Sequence, residues 1–134
     1  MVRIKLSVMM MLQYMMYAVW WVPLAAYLTN LEIGSTQKAL ILSSMAIGCL
    51  LSPVIGMLAD RLFSAQKVLA GLNLVNAVML LMAATTQDSD LLFIFLIIAM
   101  LGYMPSWGLT SSIAMAHLPS EQFPKVRVFG SIGW

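Results

Sequence analysis

Few side chains in this sequence are of types that could do chemistry, and their spacing assembles no reacting centre. The one histidine, His117, has no cysteine, histidine or carboxylate near it at metal-ligand spacing, so no metal site is expected. The one cysteine, Cys49, lies inside an apolar run, where it forms no intrachain disulfide and reads as a small packing residue. No nucleophile stands beside a base and no pair of carboxylates is set up for acid/base work; neither an enzyme nor a cofactor is expected. What remains is hydrogen bonding by polar groups in greasy surroundings. Gln13, Tyr17 and Trp20 recur at i, i+4 and i+7, one stripe of a helix. That stripe reads either as a face toward protein or a watery cavity, or, for Trp20 and Trp21, as anchoring in an aromatic belt at a membrane surface. Asn73 and Asn76 stand three apart, so both amides face one neighbour, first as glue between helices and second as contacts to a bound solute.

The elements that must position these groups are set by four runs free of Asp, Glu, Lys and Arg: Leu6 to Leu31, Ala39 to Ala59, Val68 to Gln87 and Leu91 to Ser120. A helix rises about 1.5 Å per residue and the hydrocarbon core is about 30 Å thick, so each run can span a bilayer. Lipid offers backbone amides no partner, and segments of this length must close their hydrogen bonds internally. Composition agrees: 62% of residues are hydrophobic and 9% charged, far from the roughly 45–50% and about 25% of soluble domains. The thirteen methionines, including Met9 to Met11, read as gap-filling or lipid-facing groups. The fold class expected is therefore an all-α, polytopic transmembrane helical bundle. Its helices are placed at about Leu6 to Leu28, Gln37 to Ala59, Lys67 to Thr86 and Leu91 to His117, with a fifth starting at Val126 and ending with the chain at Trp134.

Net charge is only +2, but its distribution is informative. With the N-terminus cytoplasmic, Arg3, Lys5, Arg61, Lys67, Lys125 and Arg127 all fall inside and Lys38 alone falls outside, as the positive-inside rule requires. Glu32, Asp88 and Asp90 then face the exterior, and no basic patch is left to argue for nucleic acid. The basic, apolar start is too long for a cleaved secretory signal and lacks a clear cleavage site.

Within the second span Ser44, Gly48, Ser52 and Gly56 follow one another at four-residue intervals. Small residues let helix backbones approach, which is a main source of helix association in lipid, so this ladder predicts a packing face. Pro53 and Pro105 are each expected to bend their helices, and Gly102, Pro105 and Gly108 interrupt the fourth in the manner of cavity-lining transporter helices.

At the junction of the second and third spans stands Gly56-Met57-Leu58-Ala59-Asp60-Arg61. It resembles the loop motif of the major facilitator superfamily, in which glycine admits another helix and the Asp and basic residue form a charged latch at the membrane face. Phe63, Ser64 and Ala65 depart from the remainder of that motif. Two further segments, Tyr103-Met104-Pro105 with Gly108-Leu109, and Phe123-Pro124 with Val126-Arg127-Val128 and Gly130-Ser131-Ile132-Gly133, sharpen the match. Together they resemble the nucleoside:proton symporter family of bacterial major facilitators.

The resemblance implies the N-terminal part of a twelve-helix transporter of the bacterial inner membrane, multi-pass, carrying a nucleoside with a proton and completed by C-terminal helices missing from this chain. It implies substrate contacts for Arg127, Ser131 and Trp134, where the last replaces an expected phenylalanine; Gln13 joins them as a candidate from its polar stripe. Arg127 reads alternatively as a positive-inside anchor whose head snorkels to the surface. No span carries an ionisable group in its interior, so the proton site is expected outside this chain. The alternatives are a major facilitator for another small solute, such as a sugar or drug, or a membrane scaffold that transports nothing. A small dimeric drug exporter is disfavoured because the first span has no glutamate.

Overall fold

The computed structural model describes residues 1–134, with the side chain of Asp60 outside the described part. Its regular elements are five helices: α1 Val2–Asn30, α2 Ser35–Leu62, α3 Ala65–Thr85, α4 Ser89–His117 and α5 Phe123–Gly133. The first four are long and apolar enough to cross a membrane. At about 1.5 Å per residue, even α3 with its 21 residues reaches roughly the 30 Å of a hydrocarbon core. The 11 residues of α5 do not.

Helix ends depart from the sequence expectation in one consistent way. α1 begins at Val2 and includes Arg3 and Lys5, α2 runs on through Arg61, and α5 starts at Phe123, three residues before the expected Val126. Charges mark where the hydrocarbon stops, not where the helix stops, because a helix continues through the headgroup layer with its charged side chains in water. Pro124 belongs to the first turn of α5 rather than to a loop, since proline at that position gives up an amide that has no helical partner anyway. Pro23, Pro53 and Pro105 all lie within helices that the structure carries through without interruption.

The chain divides into two compact units: Met1–Leu24 with Thr110–Trp134, and Ala25–Leu109. In the second unit the α1–α2 connection turns sharply at Glu32, whose φ of 56° lies in the left-handed region. Lys38 Nζ donates to Thr29 Oγ1 across this turn at 3.3 Å. The core of the unit is the run from Ala99 to Ser106 of α4, where Ala99, Met100, Tyr103, Met104 and Ser106 are all buried. Half of the most apolar stretch of α4 is buried, against 22% or less in each other span. A helix apolar all round suits such a position; the outward faces of its neighbours meet lipid.

Close approach of backbones holds this unit together. A Cβ on Gly48 would stand 2.8 Å from the carbonyl oxygen of Met100, so α2 touches α4 there with nothing between the chains. Ser44, one turn earlier, is fully buried with its hydroxyl unpaired among the described residues, and Ile41 is buried beside it. Cys49 Sγ lies 3.4 Å from Met104 Sδ. The same ladder loosens toward its C-terminal end: Gly56 has open space where a Cβ would be. On α3, Asn73 is engaged, whereas both amide atoms of the fully buried Asn76 lack a hydrogen-bond partner among the described residues. The glue expected of the asparagine pair is thus not made by Asn76 among the described residues, at a desolvation cost of about 1–3 kcal/mol.

Gly48→Ala is expected to destabilise the chain by about 1–3 kcal/mol, because Met100 presents backbone that must move. Gly56→Ala is expected to be neutral or to stabilise by up to about 1 kcal/mol, since alanine is the better helix former and meets nothing. Thermal unfolding of both variants in one detergent checks the contrast, and equal midpoints would contradict it.

Candidate functional site

The first unit is built from the beginning of α1, the end of α4 and α5. Val126, Gly130 and Gly133 recur at i, i+4 and i+7 along α5, the covered side of that helix, and at the two glycines it meets α1. Val126 is fully buried and Gly130 is buried. A Cβ on Gly130 would be 3.1 Å from the ring of Tyr14, and one on Gly133 would collide with the carbonyl oxygen of Met11. Only glycine lets α5 lie this close, so the two helices approach backbone to side chain at one turn and backbone to backbone at the next.

Arg127, Ser131 and Trp134 form the adjacent stripe, displaced by one residue or about 100° round the helix. All three are exposed. The structure therefore brings these candidates onto one largely open face, beside the contact with α1, where only the Trp134 ring is partly covered. A guanidinium and a hydroxyl on one side of a helix offer directional donors, and the indole adds a flat apolar surface.

The α1 side of the contact is aromatic. Tyr17 is 2% exposed, and its ring stacks on Trp21 at 5.5 Å and on Trp134 at 5.2 Å, with interplanar angles of 19° in both pairs. Trp20 meets Tyr17 edge-on at 6.1 Å and Trp21 edge-on at 5.5 Å. Gln13, one turn before Tyr17, is buried and engaged. Of the two readings of the Gln13–Tyr17–Trp20 stripe, the structure supports a face toward protein: Gln13 and Tyr17 are buried, and Trp20 hides its Nε1 without a partner among the described residues.

The other candidates lie elsewhere. Gly56 is half-buried at the end of α2 and Arg61 is exposed; Asp60, the third residue of the proposed latch, has its side chain outside the described residues. Ser44 and Gly48 are buried in the second unit, and Ser52 is half-buried. His117 is exposed and its Nδ1 lies 2.8 Å from the carbonyl oxygen of Ile113, a contact within its own helix. Sequence reasoning missed one pair: buried Tyr103 accepts a hydrogen bond at 3.0 Å from Trp107 Nε1. Their i, i+4 spacing was the available signal.

With this geometry in hand, comparison with known proteins is specific. A family model described as Nucleoside H+ symporter matches residues 1–134. The chain is 38% identical over 133 residues to "Putative nucleoside transporter YegT" of Escherichia coli (strain K12), covering 97% of this chain and 31% of that protein. It is 30% identical to the xanthosine permease of the same organism, covering 99% and 34%, and 27% identical to its nucleoside permease NupG, covering 98% and 34%. The chain thus spans about a third of the length of the curated relatives it matches. No solved structure matches it. These relatives and the four apolar helices make it a multi-pass membrane protein.

Gly133→Ala is expected to lift α5 from α1 and to cost about 1–3 kcal/mol, since the obstructing atoms belong to the Met11 backbone. Thermal unfolding in detergent measures this, and an unchanged midpoint would show that the contact is not made.

Proposed function

We propose, since this chain belongs to the nucleoside H+ symporter family, that it forms the opening helices of a secondary active transporter carrying nucleosides with protons across the bacterial inner membrane. The observation that carries this reading is the family match along all 134 residues. The open stripe of Arg127, Ser131 and Trp134 supports it chemically. Arg127 and Ser131 would donate hydrogen bonds to ribose or base oxygens, and the Trp134 indole would stack on the base. Gln13, behind the aromatic cluster, would complete the polar lining.

In this reading the N-terminus is cytoplasmic, which gathers every basic group except Lys38 on the inner side. The remaining helices of a twelve-helix major facilitator would close the cavity over α5 and supply the ionisable group that exchanges the proton. Gly56, Asp60 and Arg61 would form the charged latch at the cytoplasmic rim. The open space beside Gly56 is where a helix of the other half would approach as the bundles rock around a midplane site.

Arg127→Ala in the full-length protein is expected to abolish uptake of labelled uridine. Ser131→Ala, losing one hydrogen bond of about 1 kcal/mol, is expected to raise KM by roughly fivefold. Uptake assays in cells lacking their own nucleoside permeases check both. Full uptake by the arginine variant would leave Arg127 as a snorkelling anchor, and competition by sugars instead of nucleosides would move the protein to another solute class.

A further inference from the structure

We propose that Tyr17 of α1 is a positioning residue for the substrate site: it holds the Trp134 indole in a fixed plane, so that the open surface of that indole receives the nucleobase. This rests on the nucleoside-permease reading above and adds to it a residue from a different helix.

The stack is asymmetric in exposure. Tyr17 is 2% exposed, whereas Trp134, at a centroid distance of 5.2 Å and 19° from coplanar, is 58% exposed. The tyrosine is therefore the fixed partner and the indole the one with surface to offer. Tyr17 is itself braced, stacking on Trp21 at 5.5 Å, while Trp20 closes edge-on against both rings. A cluster in which one ring touches three others leaves that ring little rotamer freedom.

An indole projecting freely from a helix would have to be immobilised as the base arrived, and that entropy loss would weaken binding. Stacked on Tyr17, it is ordered by folding, before any substrate is present. Gly130 and Gly133 let the rings come together: the first leaves room for the Tyr14 ring and the second for the Met11 carbonyl, so α5 lies close enough to α1 for Trp134 to reach Tyr17. Arg127 and Ser131, lying back along the same stripe of α5, remain free to take the sugar and base oxygens. The occupant implied is a flat heteroaromatic base bearing a hydroxylated sugar, with Tyr17 acting through Trp134 and not touching it.

Uridine uptake by the full-length protein tests this, with KM and maximal rate measured for the unaltered protein, Tyr17→Phe, Tyr17→Leu, Trp134→Leu and the Tyr17→Leu/Trp134→Leu double variant. Tyr17→Leu is expected to raise KM about three- to tenfold with the maximal rate nearly unchanged, and Tyr17→Phe, which keeps the ring, to restore it. In the Trp134→Leu background Tyr17→Leu is expected to add nothing. Where Tyr17→Leu does not reach the membrane, Tyr17→Met is read in its place. An unchanged KM, or effects of the two leucine substitutions that simply multiply, would overturn the proposal while leaving the permease reading intact. Absence of nucleoside uptake by the unaltered protein would overturn both.

Discussion

Contact between helix backbones at glycine is the constraint on which this chain depends. In water, apolar faces are driven together by the solvent; in lipid that force is absent between helices, and association rests on dispersion, occasional hydrogen bonds and how closely two backbones can pass. The chain meets this demand in both of its compact units. In one unit Gly48 brings α2 against the Met100 backbone of α4. In the other, Gly130 and Gly133 bring α5 against Tyr14 and Met11 of α1. Most other side-chain surface on these helices is apolar and open, as helices bordered by lipid should be.

The second of these contacts decides which residues of α5 are covered and which are left open. Because Val126, Gly130 and Gly133 occupy the covered face of α5, the neighbouring stripe is left for Arg127, Ser131 and Trp134. A one-residue shift in the glycine positions would bury the arginine and expose the valine. The covered glycines and the open polar residues thus lie on adjacent stripes of α5. The aromatic residues of α1 join them, since Trp134 stacks on Tyr17 while its own helix is held by the glycines.

The spans were legible in the sequence because charge-free runs of this length have one stable form in a bilayer. The small-residue ladder was legible as a pattern but not in extent: Gly48 meets α4 while Gly56, in the same register, meets nothing among the described residues. Spacing reports which residues share a face, whereas which part of the face is covered depends on partners that spacing does not name. Helix ends were placed short for a related reason, since Arg3, Lys5 and Arg61 end the hydrocarbon without ending the hydrogen bonding. The Gln13–Tyr17–Trp20 stripe had two readings in the sequence, and only the packing of α1 distinguishes them. That Trp134 lands on Tyr17 could not be read at all, because it follows from the close approach of α5 at glycines more than a hundred residues along the chain. Asn76 shows the converse: its residue type signals a hydrogen bond between helices that is not made among the described residues.

The chain belongs to the nucleoside H+ symporter family, and the seating of α5 on α1 is what sets the covered and open stripes side by side. Cysteines placed at Tyr14 and Gly130 in a Cys49→Ser background, oxidised in native membranes, test that seating directly. Rapid formation of an intrachain disulfide between them, absent when one cysteine is moved to the exposed Val128, is the result the account predicts. Failure of the 14–130 pair to cross-link, with the protein inserted and intact, would contradict it.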